Sequence, residues 1–236
     1  MSRGIVFLFA AIVAAVLVFG CRTPSSDGVS ADSSGAAGLI GELDAYSKEY
    51  KHVDRDPSGN VVSLVLPSRF LTKSNVKRVA SIPTLKGLTA FGGGEQYGVF
   101  RIVPRLTNLT SLRLNCFIRT NDPALRQILP AVSQMQNLRE LTLYGVFVPA
   151  AEYRRLGQMT NLTSLKIIFG KINDREVPVL TNLVNLRSLH LTSVDVSTAS
   201  TNLLGRLPLT NFVFQSSLRM NGVGRHGKSN GELRRK

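Results

Sequence analysis

Residues 106–114 read LTNLTSLRL, residues 159–167 read MTNLTSLKI and residues 183–191 read LVNLRSLHL. Counted from Val61, the apolar pattern of these segments occurs seven times, at intervals of 24, 24, 29, 24, 24 and 23 residues. Its positions are Val61, Leu64 and Leu66; Leu85, Leu88 and Ala90; Leu109, Leu112 and Leu114; Leu138, Leu141 and Leu143; Leu162, Leu165 and Ile167; Leu186, Leu189 and Leu191; Leu209, Phe212 and Phe214. A constant period of this length predicts a solenoid of stacked units.

Each unit combines two periodicities. The last two apolar residues of the pattern are two apart, which predicts a strand with both side chains on one face. Between strands, Leu125, Ile128, Leu129 and Val132 follow the spacing of one helix face. Val177, Leu180, Thr181 and Val184 repeat that spacing less regularly. Each unit is therefore predicted to contain a strand, a turn, a short helix and a return.

The repeated segments resemble leucine-rich repeats. Residues 171–191, KINDREVPVLTNLVNLRSLHL, are similar to the I-x-D-x-x-L-x-x-L-x-x-L form common in bacterial envelope proteins. The resemblance covers residues 60–214. It implies an α/β leucine-rich-repeat solenoid of about seven strand–helix repeats, with a parallel sheet on its concave face and an N-terminal helix-hairpin cap.

One position departs from that family. Nine residues into each unit the family usually carries an asparagine, cysteine or threonine that bonds to the turn backbone. Here the position holds Arg69, Gly93, Phe117, Val146, Gly170 and Val194. We therefore expect backbone groups or water to satisfy these turns. We also expect irregularity at residues 92–94, where three glycines follow one another, and at the five extra residues 119–123.

The N-terminus has the features of a processing signal. Residues 5–19 are an unbroken apolar run after Arg3, shorter than the roughly 20 residues of a membrane-spanning helix. Residues 18–21, VFGC, resemble a bacterial lipobox, which implies lipidation of Cys21 and a lipid-anchored protein of the cell envelope. Phe19 departs from the small residue usual at its place, so ordinary secretion and an uncleaved anchor stay open.

The predicted domain organisation follows from these signals. Residues 1–21 form the signal peptide and residues 22–38, rich in serine, glycine and alanine, a flexible tether. Residues 39–60 form the cap, with Leu39, Leu43, Tyr46 and Tyr50 at helical spacing and a turn at residues 57–60. Residues 61–218 form the solenoid. Residues 219–236 form a basic disordered tail with six Lys or Arg and one Glu.

The net charge of the chain limits the kinds of partner that it is expected to bind. The chain carries 29 Lys and Arg against 15 Asp and Glu, a net charge of +14. A basic envelope protein favours an anionic partner, although a solvated surface explains the same charge. We expect no nucleic-acid partner, because the chain is predicted to be exported and shows no binding motif that interleaves aromatic residues.

The sequence contains no recognisable catalytic or metal-binding motif, and we predict neither a cofactor nor a metal. The three histidines are His52, His190 and His226, which fall in three different regions. Asp54 and Asp56 flank a turn and are assigned to it rather than to a cation site. Cys116 is predicted to be a buried, unreactive thiol. We expect a non-enzymatic protein.

Strand alternation instead predicts a partner-binding patch on the concave face. Alternate residues of each strand point away from the core. The candidate residues are Phe91, Arg113, Asn115, Thr142, Tyr144, Lys166, Ile168 and His190. Aromatic residues and arginine often anchor interfaces, although these positions are equally consistent with the solvent-facing half of a sheet. The expected function is therefore protein or envelope-polymer binding, the alternative being a structural protein that adheres to anionic lipid or polymer through its basic surface and tail.

Overall fold

The computed structural model describes residues 35–46, 50–92, 106–115, 125–146 and 149–216. In these ranges eight strands form one sheet in chain order. They are β1 (Val53–Arg55), β2 (Val61–Leu66), β3 (Gly87–Phe91), β4 (Ser111–Asn115), β5 (Glu140–Tyr144), β6 (Ser164–Ile168), β7 (Ser188–Val194) and β8 (Asn211–Ser216). Strands β2 to β8 are parallel, and β1 is antiparallel to β2.

One helix, α1 (Gly35–Tyr46), precedes the sheet, and the other helices are short and lie between successive strands. These are α2 (Lys73–Ala80), α3 (Leu125–Val132), α4 (Tyr153–Leu156), α5 (Val177–Leu180) and α6 (Thr198–Thr201), with 3-10 turns at Ser68–Phe70, Ala150–Glu152 and Asn202–Arg206. The helical stripe predicted in α3 is confirmed for Ile128, Leu129 and Val132, which are buried. The second predicted stripe is only partly right, because α5 ends after one turn and leaves Val184 59% exposed.

The predicted register of the repeats is confirmed, and it determines which side chains form the core. Leu112, Leu141, Leu165 and Leu189 are successive partners on β4 to β7. Each is at most 1% exposed, because its register partners on both adjacent strands are apolar: leucines throughout, except Phe212 beside Leu189. A second buried row runs beside the first through Leu114, Leu143, Ile167 and Leu191. Each buried aliphatic side chain contributes about 1.5–3 kcal/mol of transfer free energy, so the rows dominate stability. The fold is an α/β solenoid of stacked strand–helix units, as the periodicity predicted, and it has the leucine-rich-repeat form that the resemblance of the repeats implied.

The helix-hairpin at the N-terminal end has the predicted elements with one correction. Helix α1 begins at Gly35, four residues before the predicted cap, because alanines at 36 and 37 favour helix and Leu39 and Leu43 are fully buried. Tyr50 is not part of this helix. The hairpin turn is organised by Asp56, whose carboxylate accepts bonds of 2.9 Å from the amides of Ser58 and Asn60.

The prediction that backbone groups satisfy the turns after the strands is confirmed for two of them. The Gly145 amide donates to the Ile168 carbonyl at 2.8 Å, and the Phe169 amide donates to the Thr192 carbonyl at 2.9 Å. Val146 and Val194, at the ninth position of their units, are buried in the core. An apolar side chain therefore occupies the place where the family expects a polar one.

An asparagine ladder does exist, but before the strands instead of after them. Each asparagine donates its side-chain amide to a backbone carbonyl of the preceding unit. The bonds are Asn108 to Pro83 (3.0 Å), Asn137 to Thr107 (2.7 Å), Asn161 to Gln136 (2.9 Å) and Asn185 to Thr160 (2.9 Å). Thr84 donates to Val61 at the equivalent place, at 2.7 Å. Each bond contributes about 0.5–1.5 kcal/mol and fixes the spacing of neighbouring units.

Several sequence predictions concern residues outside the described ranges. These are the signal peptide with Cys21, the tether up to residue 34, the turn positions Gly93 and Phe117, the thiol of Cys116, the extra residues 119–123 and the tail 219–236. Among the helices that are described, none is long and apolar enough to cross a membrane.

Candidate functional site: the concave face of the sheet

The eight predicted contact residues lie in two adjacent rows on one face of the sheet. One row runs through Arg113, Thr142, Lys166 and His190, which are successive register partners. The other runs through Phe91, Asn115, Tyr144 and Ile168. We call this the concave face; its residues alternate with the buried leucines along every strand. The structure thus brings all eight residues together.

The concave face carries two cations without an acidic partner. Arg113 is exposed and Lys166 is half-buried, and Thr142 lies between them on β5. Two strand spacings separate them, about 9.6 Å. Four ion pairs occur in the described part of the chain, and none involves either residue. Within the described strands this face carries two carboxylates: Glu140 accepts a bond of 3.1 Å from the Ser111 hydroxyl, and Asp54, on β1 at the edge of the sheet, pairs with Lys51 at 2.8 Å.

His190 does not add a third charge at neutral pH. Partial burial, and then the adjacent Lys166 ammonium, lower the pKa of the His190 imidazole below its ordinary value. Its Nε2 lies 2.6 Å from the Thr192 hydroxyl oxygen. The ring is therefore a neutral hydrogen-bonding group, and the positive field of the face comes from Arg113 and Lys166.

An aromatic pair borders the cations. The rings of Tyr144 and Phe169 meet edge to face, with centroids 5.4 Å apart and an angle of 83° between their planes. Partial burial raises the pKa of the Tyr144 phenol, so the hydroxyl stays protonated. Phe169 remains 42% exposed. This pair presents apolar area and a polar hydroxyl diagonally across from Lys166, since Tyr144 is the register partner of Ile168, two residues further along β6.

Phe169 was not among the residues that sequence reasoning selected. It follows β6 directly and has a φ of +53°, a left-handed conformation that costs a residue with a Cβ about 1–2 kcal/mol. Its equivalents in the neighbouring units are Gly145 (φ +65°) and Ser193 (φ +53°), 24 residues before and after it. The signal was available: alignment of the repeats places an exposed phenylalanine where the turn favours glycine.

Chemically, this face is suited to recognition. In the described ranges, no group of three or more His, Cys, Asp or Glu side chains is arranged to hold a metal ion. The face combines a hydroxyl row, a cation row and an apolar row, the first of which contains Ser111, Ser164 and Ser188. Such a surface offers charge, hydrogen bonds and apolar contact area, but no paired acid and base or activated nucleophile.

Comparison with known proteins gives structural likenesses only. No protein-family model matches the chain, and no curated protein matches it in sequence. A leucine-rich-repeat protein from Leptospira interrogans is 15% identical, with a TM-score of 0.39 over 83% of this chain and 55% of that one. An internalin from Listeria monocytogenes is 17% identical, with a TM-score of 0.36 over 68% of this chain and 64% of that one.

A further solved structure, a pollen receptor kinase 3, is 14% identical, with a TM-score of 0.44 over 74% of this chain and 85% of that one. The chain spans less than two thirds of the length of the two bacterial structures. The leucine-rich-repeat architecture itself is established by the register and burial described above.

Proposed function

We propose that this chain is a non-enzymatic binding module that captures a protein partner through the concave face. The observation that carries the proposal is the pair of uncompensated cations, Arg113 and Lys166, beside the aromatic pair Tyr144 and Phe169. Aromatic residues and arginine dominate the binding energy of interfaces. The expected partner therefore presents an acidic group next to an apolar one.

Charge complementarity supports a protein over a uniform polyanion. A purely anionic polymer would match the two cations but would leave the Tyr144 and Phe169 rings against a charged surface. A protein segment with one acidic and one apolar side chain matches both halves of the face. An anionic envelope polymer is the alternative partner. Its binding should weaken more steeply as the salt concentration rises.

Replacing Arg113, Tyr144 and Lys166 together with alanine should weaken partner capture by about 100-fold or more. Truncation of a central contact costs about 2 kcal/mol or more, and each factor of ten in affinity corresponds to about 1.4 kcal/mol. The melting temperature should fall by no more than a few degrees, because all three side chains lie on the solvent face of the sheet and the Tyr144–Phe169 ring contact contributes only about 0.5–1.5 kcal/mol. The measurement is quantitative pull-down from envelope extract with the full chain, alongside thermal unfolding.

The matched control replaces Thr89, Ser164 and Gln215 on the same face, and it should capture the partner normally. Undiminished capture by the Arg113, Tyr144 and Lys166 variant would rule out the concave face. Capture that falls steeply with salt, and that disappears when residues 219–236 are deleted, would instead support non-specific adhesion to an anionic lipid or polymer.

We further propose that the module is held at a bacterial membrane by a lipid on Cys21. The apolar run at residues 5–19, the VFGC segment and the serine- and glycine-rich stretch after it support this arrangement. Mass spectrometry of the mature N-terminus should show an acylated Cys21, and a Cys21→Ala chain should show no lipid. An unmodified or uncleaved N-terminus in the natural chain would contradict the anchor.

A further inference from the structure

The two edges of the sheet differ in what packs beside them. At the N-terminal end, β1 pairs with the outer edge of β2, and helix α1 contributes the fully buried Leu39 and Leu43 beside it. At the other end, β8 has a neighbour on one side only within the described ranges, namely β7. Within those ranges, no other strand pairs with the outer edge of residues 211–215.

The sequence of β8 lacks the features that normally protect an edge strand. It reads NFVFQS, with no charged residue and no proline. Edge strands usually carry lysine, proline or a bulge that prevents pairing with another chain. The rings of Phe212 and Phe214 stack 6.3 Å apart and are only partly buried, and Val213 is 40% exposed. An uncharged, apolar edge of this kind is suited to pairing with another strand.

The chemistry of β8 is symmetric about Val213. Residues 211–215 run amide, phenylalanine, valine, phenylalanine, amide. In an antiparallel pairing of two copies centred on Val213, valine faces valine. Each Phe212 then faces Phe214 of the second copy, and each Asn211 faces Gln215. Every cross-strand pair therefore joins side chains of the same kind, as stable sheets favour.

The backbone N–H and C=O groups of β8 alternate in direction in a way that fits the same pairing. The Asn211 amide donates to the Arg187 carbonyl at 3.0 Å, so residue 211 directs its amide towards β7. Because successive residues of a strand direct their backbone groups to opposite sides, Phe212 and Phe214 direct theirs to the open edge. The register centred on Val213 places these two residues opposite each other. Side-chain and backbone patterns thus select the same register.

We propose that two copies of this chain pair antiparallel through β8, centred on Val213, and so join their sheets edge to edge. The partner is a second copy because the strand complements itself. Residues 217–236 are a poorer occupant, since residues 219–236 carry six Lys or Arg and four Gly, which do not match an uncharged apolar strand. A two-fold pairing of this kind also closes the assembly at two chains. It keeps the two concave faces on the same side of the joined sheet.

The test is a cysteine cross-link in the full chain. At a position without direct hydrogen bonds, opposite residues of an antiparallel pair have Cα atoms about 4.5 Å apart, which is within the range that a disulfide spans. Val213→Cys should therefore form a disulfide-linked dimer without a reducing agent, read on a non-reducing gel. Gln215→Cys is the matched control. In this register its two copies lie about 14 Å apart, so cross-linking should stay at the level of the unchanged chain.

A charge pair tests the same register independently. Val213→Lys and Val213→Glu chains should each be monomeric when purified alone, and mixing them should restore the dimer at low salt. The idea is overturned if Val213→Cys cross-links no more than the unchanged chain, or if Gln215→Cys cross-links equally well. It is also overturned if cross-linking appears only after residues 217–236 are deleted, since that would assign the edge to the chain's own C-terminus. None of these outcomes bears on partner capture by Arg113, Tyr144 and Lys166.

Discussion

Replacing Leu165 with alanine should lower the free energy of unfolding by about 3–5 kcal/mol. Leu165 is fully buried on β6, with Leu141 and Leu189 as its partners on the adjacent strands. The cavity would open between two units in the middle of the stack, where neighbouring units cannot move closer without breaking the sheet register. Urea denaturation of the full chain, followed by circular dichroism, measures this loss.

The matched control is Leu209→Ala in the last unit. Leu209 is only partly buried and packs at the edge of the core, so its truncation should cost about 1 kcal/mol. Because the units of a solenoid stabilise one another through their interfaces, the central substitution should also broaden the transition. Equal losses for the two leucines would contradict a core made of stacked aliphatic rows.

Much of the fold was predictable because its stability depends on a repeated pattern. The L-x-x-L-x-L spacing requires each strand to place two leucines on one face, and only alignment of neighbouring strands in register buries them all. Leu112, Leu141, Leu165 and Leu189 therefore had one arrangement compatible with burial. The same alternation correctly placed Arg113, Tyr144 and Lys166 on the opposite face.

Other features depend on local geometry that the pattern does not contain. The asparagine ladder at Asn137 and Asn161 was missed because the family comparison directed attention to the turn after the strand instead of the one before it. The start of α1 depended on tertiary burial of Leu39, which propensity alone does not give. Tyr153 is 1% exposed, and its hydroxyl has no hydrogen-bond partner within the described ranges. No sequence rule anticipates such a group.

The left-handed conformation of Phe169 is another feature that the repeat pattern does not contain. It bears directly on the proposed binding site. A positive φ depends on how a turn closes, so the sequence indicates it only when the residue is glycine. Gly145 does indicate it one unit earlier. Strained residues persist where the rest of the structure holds them, and they cluster at binding and catalytic sites. Phe169 combines this strain with an exposed ring beside the cation row.

Replacing Phe169 with glycine should leave stability nearly unchanged while lowering partner affinity by about 30-fold or more. Glycine removes about 1–2 kcal/mol of left-handed strain. Against this stand about 0.5–1 kcal/mol for the more flexible unfolded chain and about 0.5–1.5 kcal/mol for the lost contact with Tyr144. A central aromatic contact contributes about 2 kcal/mol or more to binding. Urea denaturation and the pull-down assay measure the two effects.

The decisive comparison is with Phe169→Ala, which loses the same ring but keeps the strain. The glycine variant should be more stable than the alanine variant by about 0.5–1 kcal/mol, the reverse of the order found in ordinary strands and helices. Ser193→Gly relieves the equivalent strain one unit later and should gain stability while binding normally. If Phe169→Gly and Phe169→Ala both bind as well as the natural chain, the ring has no part in recognition. The strain at residue 169 would then reflect turn geometry alone.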